Sequence, residues 1–323
     1  MSTMRETIAG FNKQFEYEPE IKNPDKLGKY KKFVVCGMGG SNLSPALAKI
    51  INPELDIVLH RDYGLPKPEA YADGTLIIAC SYSGGTEEVL DAAEHAIKEK
   101  LPLAAIAVGG KLLELAREYS LPYIEMPKTG IQPRSALGYS LCALLKIIGD
   151  EKTLRESKKL AHTLEPSDFE DVGKALAQRL HGFVPVIYSS TRNLIIAYNW
   201  KTKFNETGKI PAFYNIFPEL NHDEMNGFDV RSSTSGLMQN FHFLFLRDGE
   251  DSPRIIKRME VLEKLLLQRQ LPVEIIDMKG SSVLYKIFSV LILADWTTYY
   301  TAEGYGVEPE QVPMVEEFKR LIK

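Results

Sequence analysis

The chain has 323 residues, of which 44% are hydrophobic and 25% are charged, proportions typical of a globular protein with room for two domains. Its net charge of −4 argues against a general nucleic-acid-binding protein, and no apolar run approaches the roughly 18 residues that a membrane-spanning helix needs. The N-terminus lacks a secretion-signal pattern, and the three cysteines lack metal-ligand spacing. These features predict a cytoplasmic protein with buried free thiols.

A polar lead-in with one amphipathic stretch occupies residues 1–30, and an alternation of strands and helices begins after it. Short apolar runs predict strands at 32–36, 56–60, 76–80, 103–108 and 122–126. Segments with helical spacing of apolar residues separate these strands. Because this alternation is typical of right-handed βαβ units, we expect a doubly wound parallel sheet with helices on both faces.

The second half repeats this pattern after a charged, helical stretch at 151–180, which we interpret as a linker and the first helix of a new domain. Strands are predicted at 184–188, 241–246 and 273–277. Residues 205–215 are rich in aromatic side chains and are expected to be irregular but packed. The sequence thus predicts an α/β protein of two similar domains, 1–150 and 151–323.

Residues 81–88 (SYSGGTEE) lie between the third predicted strand and a helix. Two glycines permit a tight turn, and the hydroxyls of Ser81, Ser83 and Thr86 lie beside the N–H groups of the helix start. Such a loop can bind a phosphate. The alternative is a structural turn in which Thr86 caps the helix.

A second glycine-rich loop, residues 37–42 (GMGGSN), follows the first predicted strand. It resembles a dinucleotide fingerprint, with Asp62 as a candidate ribose ligand, although its sixth residue is Asn42. A nicotinamide-dependent dehydrogenase is therefore an alternative function. However, two hydroxyl-bearing loops on neighbouring strands suit one small phosphorylated ligand, and two purely structural turns remain the third possibility.

Three side chains further along the chain are candidates for chemistry. Arg134 follows a Gln-Pro turn on the ligand-binding side of the sheet, where it can stabilise a phosphate or an enediolate. Glu206 is predicted at a helix C-terminus, where the dipole opposes a negative charge and suits a proton carrier. His222 could handle an oxygen-bound proton. The alternative is a solvated arginine, a surface glutamate and a hydrogen-bonded loop histidine.

Together these segments resemble the bifunctional phosphoglucose/phosphomannose isomerase family, which is built from two sugar-isomerase (SIS) domains of flavodoxin-like architecture. The long signature from NE at 205–206 to PELNH at 218–222 carries most of this resemblance. Shorter matches are GMGGS at 37–41, SYSGGT at 81–86, QPR at 132–134 and, more faintly, EFK at 317–319.

The resemblance implies isomerisation of glucose 6-phosphate and mannose 6-phosphate to fructose 6-phosphate through a cis-enediolate, with no cofactor or metal. Arg134 would stabilise the enediolate, and Glu206 would carry the proton between C1 and C2. His222, contributed by the partner subunit of a homodimer, would open the sugar ring, and Lys319 would assist at the ring oxygen. The substrate would be bound by Gly39, Gly40, Ser41, Ser81, Ser83 and Thr86.

Two positions depart from the family pattern. Gly85 stands where members usually have Asn, and residues 311–313 (QVP) occupy the region of a Thr associated with handling both C2 epimers. A non-catalytic sugar-phosphate sensor with the same fold is a further alternative. Residues 1–30 are, however, too short for the DNA-binding domain that such sensors carry, and their five acidic and five basic residues give no excess of positive charge.

Overall fold

The computed structural model describes residues 3–71 and 74–322, so the predicted domain ends at 1 and 323 lie outside the described residues. It forms two compact units, one containing residues 10–71 and 74–164 and the other containing residues 3–9 and 165–322. The first helix, α1 (Met4–Ala9), therefore belongs to the second unit. The division falls later than residue 150 because the first part of the charged segment packs on the first unit.

The first unit is built on a parallel sheet in the order β2-β1-β3-β4-β5. Every residue of β3 is buried, as expected for a strand covered by helices on both faces. The prediction of a doubly wound parallel sheet is thus confirmed. The strands are β1 (Lys32–Cys36), β2 (Asp56–His60), β3 (Thr75–Cys80), β4 (Leu103–Ala107) and β5 (Tyr123–Glu125).

The helices of this unit are α2 (Leu43–Ile51), α3 (Glu87–Lys98), α4 (Gly110–Glu118), α5 (Leu137–Ile148), α6 (Glu151–Lys158) and α7 (Leu160–Thr163). Val89 of α3 and Leu112 of α4 join Val34 and Ile77 in one buried cluster on the sheet. Short 3-10 turns are also present, of which Gly39–Asn42 and Pro133–Ser135 hold predicted site residues.

The second unit contains a parallel sheet in the order β7-β6-β8-β9. Its strands are β6 (Val184–Ser190), β7 (Phe213–Phe217), β8 (Phe241–Asp248) and β9 (Val273–Met278). The expectation of an irregular segment through residue 215 is wrong at its end, where β7 begins. This edge strand exposes Phe213 and Tyr214, so its sequence shows neither alternation nor a buried run.

The helices of the second unit are α8 (Glu170–Arg179), α9 (Leu194–Glu206), α10 (Glu224–Gly227), α11 (Ser235–Met238), α12 (Pro253–Gln268), α13 (Val283–Tyr305) and α14 (Pro313–Leu321). Gly173 allows α8 to approach α13 closely, because a Cβ there would lie 2.5 Å from the Trp296 Cβ. Within residues 3–71 and 74–322, none of the helices is long and apolar enough to cross a bilayer.

Both sheets place their first strand between the second and third strands of the unit. In doubly wound sheets, ligands bind beyond the C-terminal ends of the strands where the winding direction reverses. These switch points lie between β1 and β3 in the first unit and between β6 and β8 in the second. The predicted glycine-rich loops follow β1 and β3.

Candidate active site

The two glycine-rich loops of the first unit are joined at the switch point. Strands β1 and β3 pair directly, and the Ser41 Oγ accepts a hydrogen bond from the Tyr82 N–H at 3.0 Å. The prediction that these loops lie on neighbouring strands is therefore confirmed. Since the Ser41 oxygen accepts from Tyr82, its own O–H proton can be directed toward a ligand.

The loop after β1 is closed by the side chain that departs from the dinucleotide fingerprint. Asn42 is only 2% exposed, and its Nδ2 donates to the Gly37 carbonyl at 2.9 Å. Its Oδ1 accepts from the Arg61 Nε at 2.7 Å. Asn42 thus fixes the loop with hydrogen bonds that a glycine could not make.

The loop after β3 is organised by its own hydroxyls. Ser81 is fully buried, and its Oγ lies 2.8 Å from the Thr86 Oγ1 and accepts from the Gly84 N–H at 3.1 Å. Thr86 precedes α3 but makes no side-chain bond to the helix N–H groups. Thr86 thus occupies the N-cap position, but the side-chain cap expected in the alternative of a structural turn is not formed. The exposed Ser83 accepts from the Gly85 N–H at 3.3 Å.

The two glycines of this loop have different roles. Gly84 has a φ of +71°, and a Cβ there would lie 1.8 Å from the Gly109 carbonyl oxygen. Only glycine fits this combination of backbone conformation and close approach. At Gly85 the nearest atom to an added Cβ is the Ser83 Oγ, 3.9 Å away. The asparagine usual in the family would therefore meet no steric barrier at its Cβ.

Arg134 lies in the 3-10 turn Pro133–Ser135 that leads into α5. It is 4% exposed, so the alternative of a solvated arginine is wrong. The turn packs against the loop after β1, because a Cβ on Gly40 would lie 3.2 Å from the Pro133 carbonyl group. The first unit thus assembles the Ser41 loop, the Ser81 loop and the Arg134 turn at one end of its sheet.

Glu206 is the last residue of α9, as predicted, and it is half-buried. Its carbonyl oxygen accepts from the Lys209 Nζ at 2.5 Å, and the same ammonium donates to the carbonyl of Gln311. One turn earlier, Lys203 forms a buried ion pair with Asp295 of α13, with 2.6 Å between Nζ and Oδ2. These contacts anchor the helix end that presents the carboxylate.

His222 is exposed, and the residues around it are tied to the sheet and to α12. The Glu224 carboxylate accepts from the Tyr188 hydroxyl at 2.5 Å and from the Asn215 amide. Burial raises the pKa of Tyr188, and the neighbouring carboxylate raises it further, so the phenol remains a donor. Sequence reasoning missed the Tyr188–Glu224 contact, because it joins a core strand to the start of α10, 36 residues further along the chain.

Lys319 is exposed on α14 and forms an ion pair with Glu316 at 2.8 Å. The helix is amphipathic, and its apolar side chains are exposed in this chain. These side chains are Met314, Val315, Phe318 and Leu321, and Ile322 directly after the helix is exposed as well. The second unit therefore carries Glu206, His222 and Lys319, on three separate segments.

The cysteines are buried free thiols, as predicted. Burial raises the pKa of Cys36 and Cys80 to about 12 and that of Cys142 to about 11, so none is a thiolate near neutral pH. Among the described residues, no group of three or more His, Cys, Asp or Glu side chains is placed to hold a metal ion.

Comparison with known proteins identifies the family. Residues 169–322 match the profile of the bacterial phospho-glucose isomerase C-terminal SIS domain. The chain is 34% identical to the bifunctional phosphoglucose/phosphomannose isomerase of Aquifex aeolicus, over 100% of this chain and 99% of that protein. It is 36% identical to the protein of the same name from Thermoplasma volcanium, over 92% and 93% of the two chains.

A solved structure supports the fold. The C-terminal domain of glucosamine-fructose-6-phosphate aminotransferase from Francisella tularensis superposes with a TM-score of 0.68 at 14% identity, covering 95% of this chain and 96% of that one. At this identity the similarity shows the architecture alone. The full-length sequence similarity goes further and confirms the resemblance seen in the motifs: the chain belongs to the bifunctional phosphoglucose/phosphomannose isomerase family.

Proposed function

We propose that this protein interconverts glucose 6-phosphate and mannose 6-phosphate with fructose 6-phosphate. The observation that carries the proposal is the 34% identity along the whole chain to an enzyme with both activities in its name. The buried Arg134 and the joined loops of the first unit support it, because they can bind an anionic sugar at a switch point.

In this proposal the substrate phosphate binds at the loops after β1 and β3. Gly39 and Gly40 allow the backbone to approach the phosphate, and Ser41, Ser83 and Thr86 donate hydrogen bonds. Ser81 contributes by holding Thr86 and the Gly84 N–H in place. The first turn of α3 adds the positive end of its dipole. Binding at the unreactive end of the sugar positions C1 and C2 for chemistry.

The isomerisation moves one carbon-bound proton. The Glu206 carboxylate removes the C2 proton of the open-chain aldose, and the electrons of the broken C–H bond form the C1=C2 bond and place negative charge on O1. The Arg134 guanidinium stabilises this enediolate. Glu206 then returns the proton to C1 while the O2 proton passes to O1, so that O1 becomes the C1 hydroxyl and O2 becomes the ketone oxygen. No electron leaves the substrate, so the reaction needs no redox cofactor.

Ring opening precedes this step and is assigned to His222. An acid–base group at the ring oxygen is required because the C2 proton becomes acidic only beside a free carbonyl. We assign His222 to the site of the partner in a homodimer, consistent with its exposure on its own unit. The exposed apolar face of α14 is a surface that dimer formation could cover, bringing Lys319 to the ring oxygen.

The two aldose substrates differ only at C2, so both pass through the same enediolate and differ in the face that is protonated. Residues 311–313 (QVP) occupy the region of the family Thr without supplying one, and we propose that mannose 6-phosphate is turned over more slowly than glucose 6-phosphate. An enzyme of central carbohydrate metabolism, serving glycolysis and gluconeogenesis, would act in the cytoplasm. The buried free thiols suit that reducing compartment.

The test is a coupled assay of glucose 6-phosphate formed from fructose 6-phosphate, with wild type and Glu206→Gln. Loss of the general base lowers kcat by about 10²–10⁴-fold. The matched control is Glu118→Gln, since Glu118 is the exposed last residue of α4 as Glu206 is the last residue of α9. Binding without turnover by the wild type would favour the sugar-phosphate sensor instead, and full activity of Glu206→Gln would exclude this mechanism.

A further inference from the structure

The N-terminal lead-in contributes a buried polar side chain to the first unit. Within the 3-10 helix Phe11–Glu16, Phe11 and Phe15 are buried and their rings meet edge to face at 5.9 Å. Gln14 lies between these two residues in the sequence, and it is only 3% exposed. A glutamine buried to this degree requires hydrogen-bond partners for both ends of its amide.

Those partners flank the Arg134 turn. The Gln14 Nε2 donates to the Ser135 carbonyl at 2.6 Å, and its Oε1 accepts from the Gly138 N–H at 2.9 Å. Helix α5 begins at Leu137, and its N-cap residue, Ala136, has no side chain that can cap it. The Gln14 oxygen supplies the cap from a distant part of the chain.

The backbone on the C-terminal side of Arg134 is therefore held by one amide group. Gly138 permits the approach, because a Cβ there would lie 2.7 Å from the Gln14 Cβ. On the other side of Arg134, Pro133 packs against Gly40 of the loop after β1. The turn that carries the guanidinium is thus clamped from both ends.

We infer that Gln14 is a positioning residue for Arg134. By holding Ser135 and the first turn of α5, it keeps the guanidinium where negative charge develops on the enediolate. This inference rests on the proposed function. A group that acts only in the transition state affects kcat more than substrate binding, and small displacements of such groups are costly.

The test compares Gln14→Met with Asn12→Ala in the full chain. Asn12 lies on the same 3-10 helix and also donates an amide hydrogen bond to a backbone carbonyl, that of Ala161 at 3.0 Å, away from the Arg134 turn. We expect Gln14→Met to lower kcat for fructose 6-phosphate by about ten- to a hundredfold with KM nearly unchanged. Asn12→Ala should keep the wild-type kcat.

Gly138→Ala provides a second variant that retains the Gln14 amide but displaces it. We expect the same fall in kcat without a matching rise in KM. Wild-type kcat in either Gln14→Met or Gly138→Ala, or an equal fall in Asn12→Ala, would overturn the inference. Thermal unfolding of each variant separates loss of folded protein from loss of rate. Absence of turnover in the wild type would instead reject the proposed function.

Discussion

The two units share a strand order but place opposite chemistry at their switch points. In the first unit, residues 37–42 and 81–86 contain glycines and hydroxyls and no charged side chain. In the second unit, Arg192 follows β6, and three carboxylates lie at the end of β8 and directly after it, those of Asp248, Glu250 and Asp251. The first arrangement leaves room for an anionic ligand, whereas the second already contains anions.

Asp248 takes the position of such an internal anion. It is 1% exposed and accepts hydrogen bonds from the Lys286 Nζ at 2.8 Å, the Glu250 N–H at 3.0 Å and the Asn193 amide at 3.2 Å. A phosphate in this place would lose these donors to Asp248 and meet its negative charge. The repeated fold thus does not repeat the polar groups at its switch point, and we expect one phosphate site per chain.

The largest expected effect is on stability and comes from Lys286→Met, which removes the buried ammonium group that pairs with Asp248. This leaves Asp248 buried without its ammonium partner, which costs about 3–5 kcal/mol of unfolding free energy. Both tryptophans, Trp200 and Trp296, are buried in the second unit, so their fluorescence during urea unfolding reports on that unit.

The control for this prediction is Lys279→Met. The Lys279 side chain is 81% exposed and lies 3.4 Å from Asp277, so its loss should change stability by less than about 1 kcal/mol. Equal stability changes in the two variants would show that the buried pair has no special role.

The next effect concerns the loop after β3 of the first unit, where we propose that the phosphate binds. Gly84→Ala must relieve a contact of 1.8 Å and a positive φ, and should cost about 2 kcal/mol or more. Gly85→Ala meets nothing closer than 3.9 Å and should stay near wild type. Unfolding followed by far-UV circular dichroism compares them, and similar losses would contradict the distinct roles of the two glycines.

A smaller effect, on substrate binding, distinguishes the switch point of the first unit from that of the second. Ser41→Ala removes a hydroxyl of the first-unit loop and should raise KM for fructose 6-phosphate about tenfold, equivalent to ~1.4 kcal/mol. Ser190→Ala removes a buried hydroxyl at the end of β6 and should leave KM unchanged. Calorimetry should give one sugar phosphate per chain. If the wild type instead bound two sugar phosphates per chain and Ser190→Ala bound one, the second switch point would also be a ligand site and the contrast between the units would be wrong.

The smallest effect is a dependence of stability on pH that arises from Asp248. Burial alone would raise the pKa of Asp248, but hydrogen bonds from Lys286, the Glu250 N–H and Asn193 outweigh it and lower that pKa. A carboxyl whose folded pKa is lowered stabilises the fold above its unfolded value and loses that stability as pH falls. Tryptophan-monitored stability should therefore decline below about pH 4.

Asp248→Asn should flatten this decline, because the amide does not titrate. Asp171→Asn removes an exposed aspartate of the same unit and serves as the control. An unchanged acid dependence in Asp248→Asn would assign the decline to other carboxyl groups.

The sequence by itself determined the α/β class, the five strands of the first sheet and three of the four in the second. Apolar runs and helically spaced apolar residues indicate strands and helices that bury one or both faces, so they identify elements that pack against others. The motifs also sufficed for the family, because residues 205–222 form a long combined signature. Strand β7 was not predicted, because an edge strand with exposed aromatic residues shows neither an apolar run nor an alternation of apolar and polar residues.

Only the tertiary structure decided which side chains support the site. Gln14 lies 121 residues before Ser135, and Lys286 lies 38 residues after Asp248. The sequence around these residues does not predict either contact. A buried polar side chain is stabilised by whichever partner the fold brings to it, and that partner is set by packing and not by spacing along the chain. The contrast between an open and a filled switch point has the same origin.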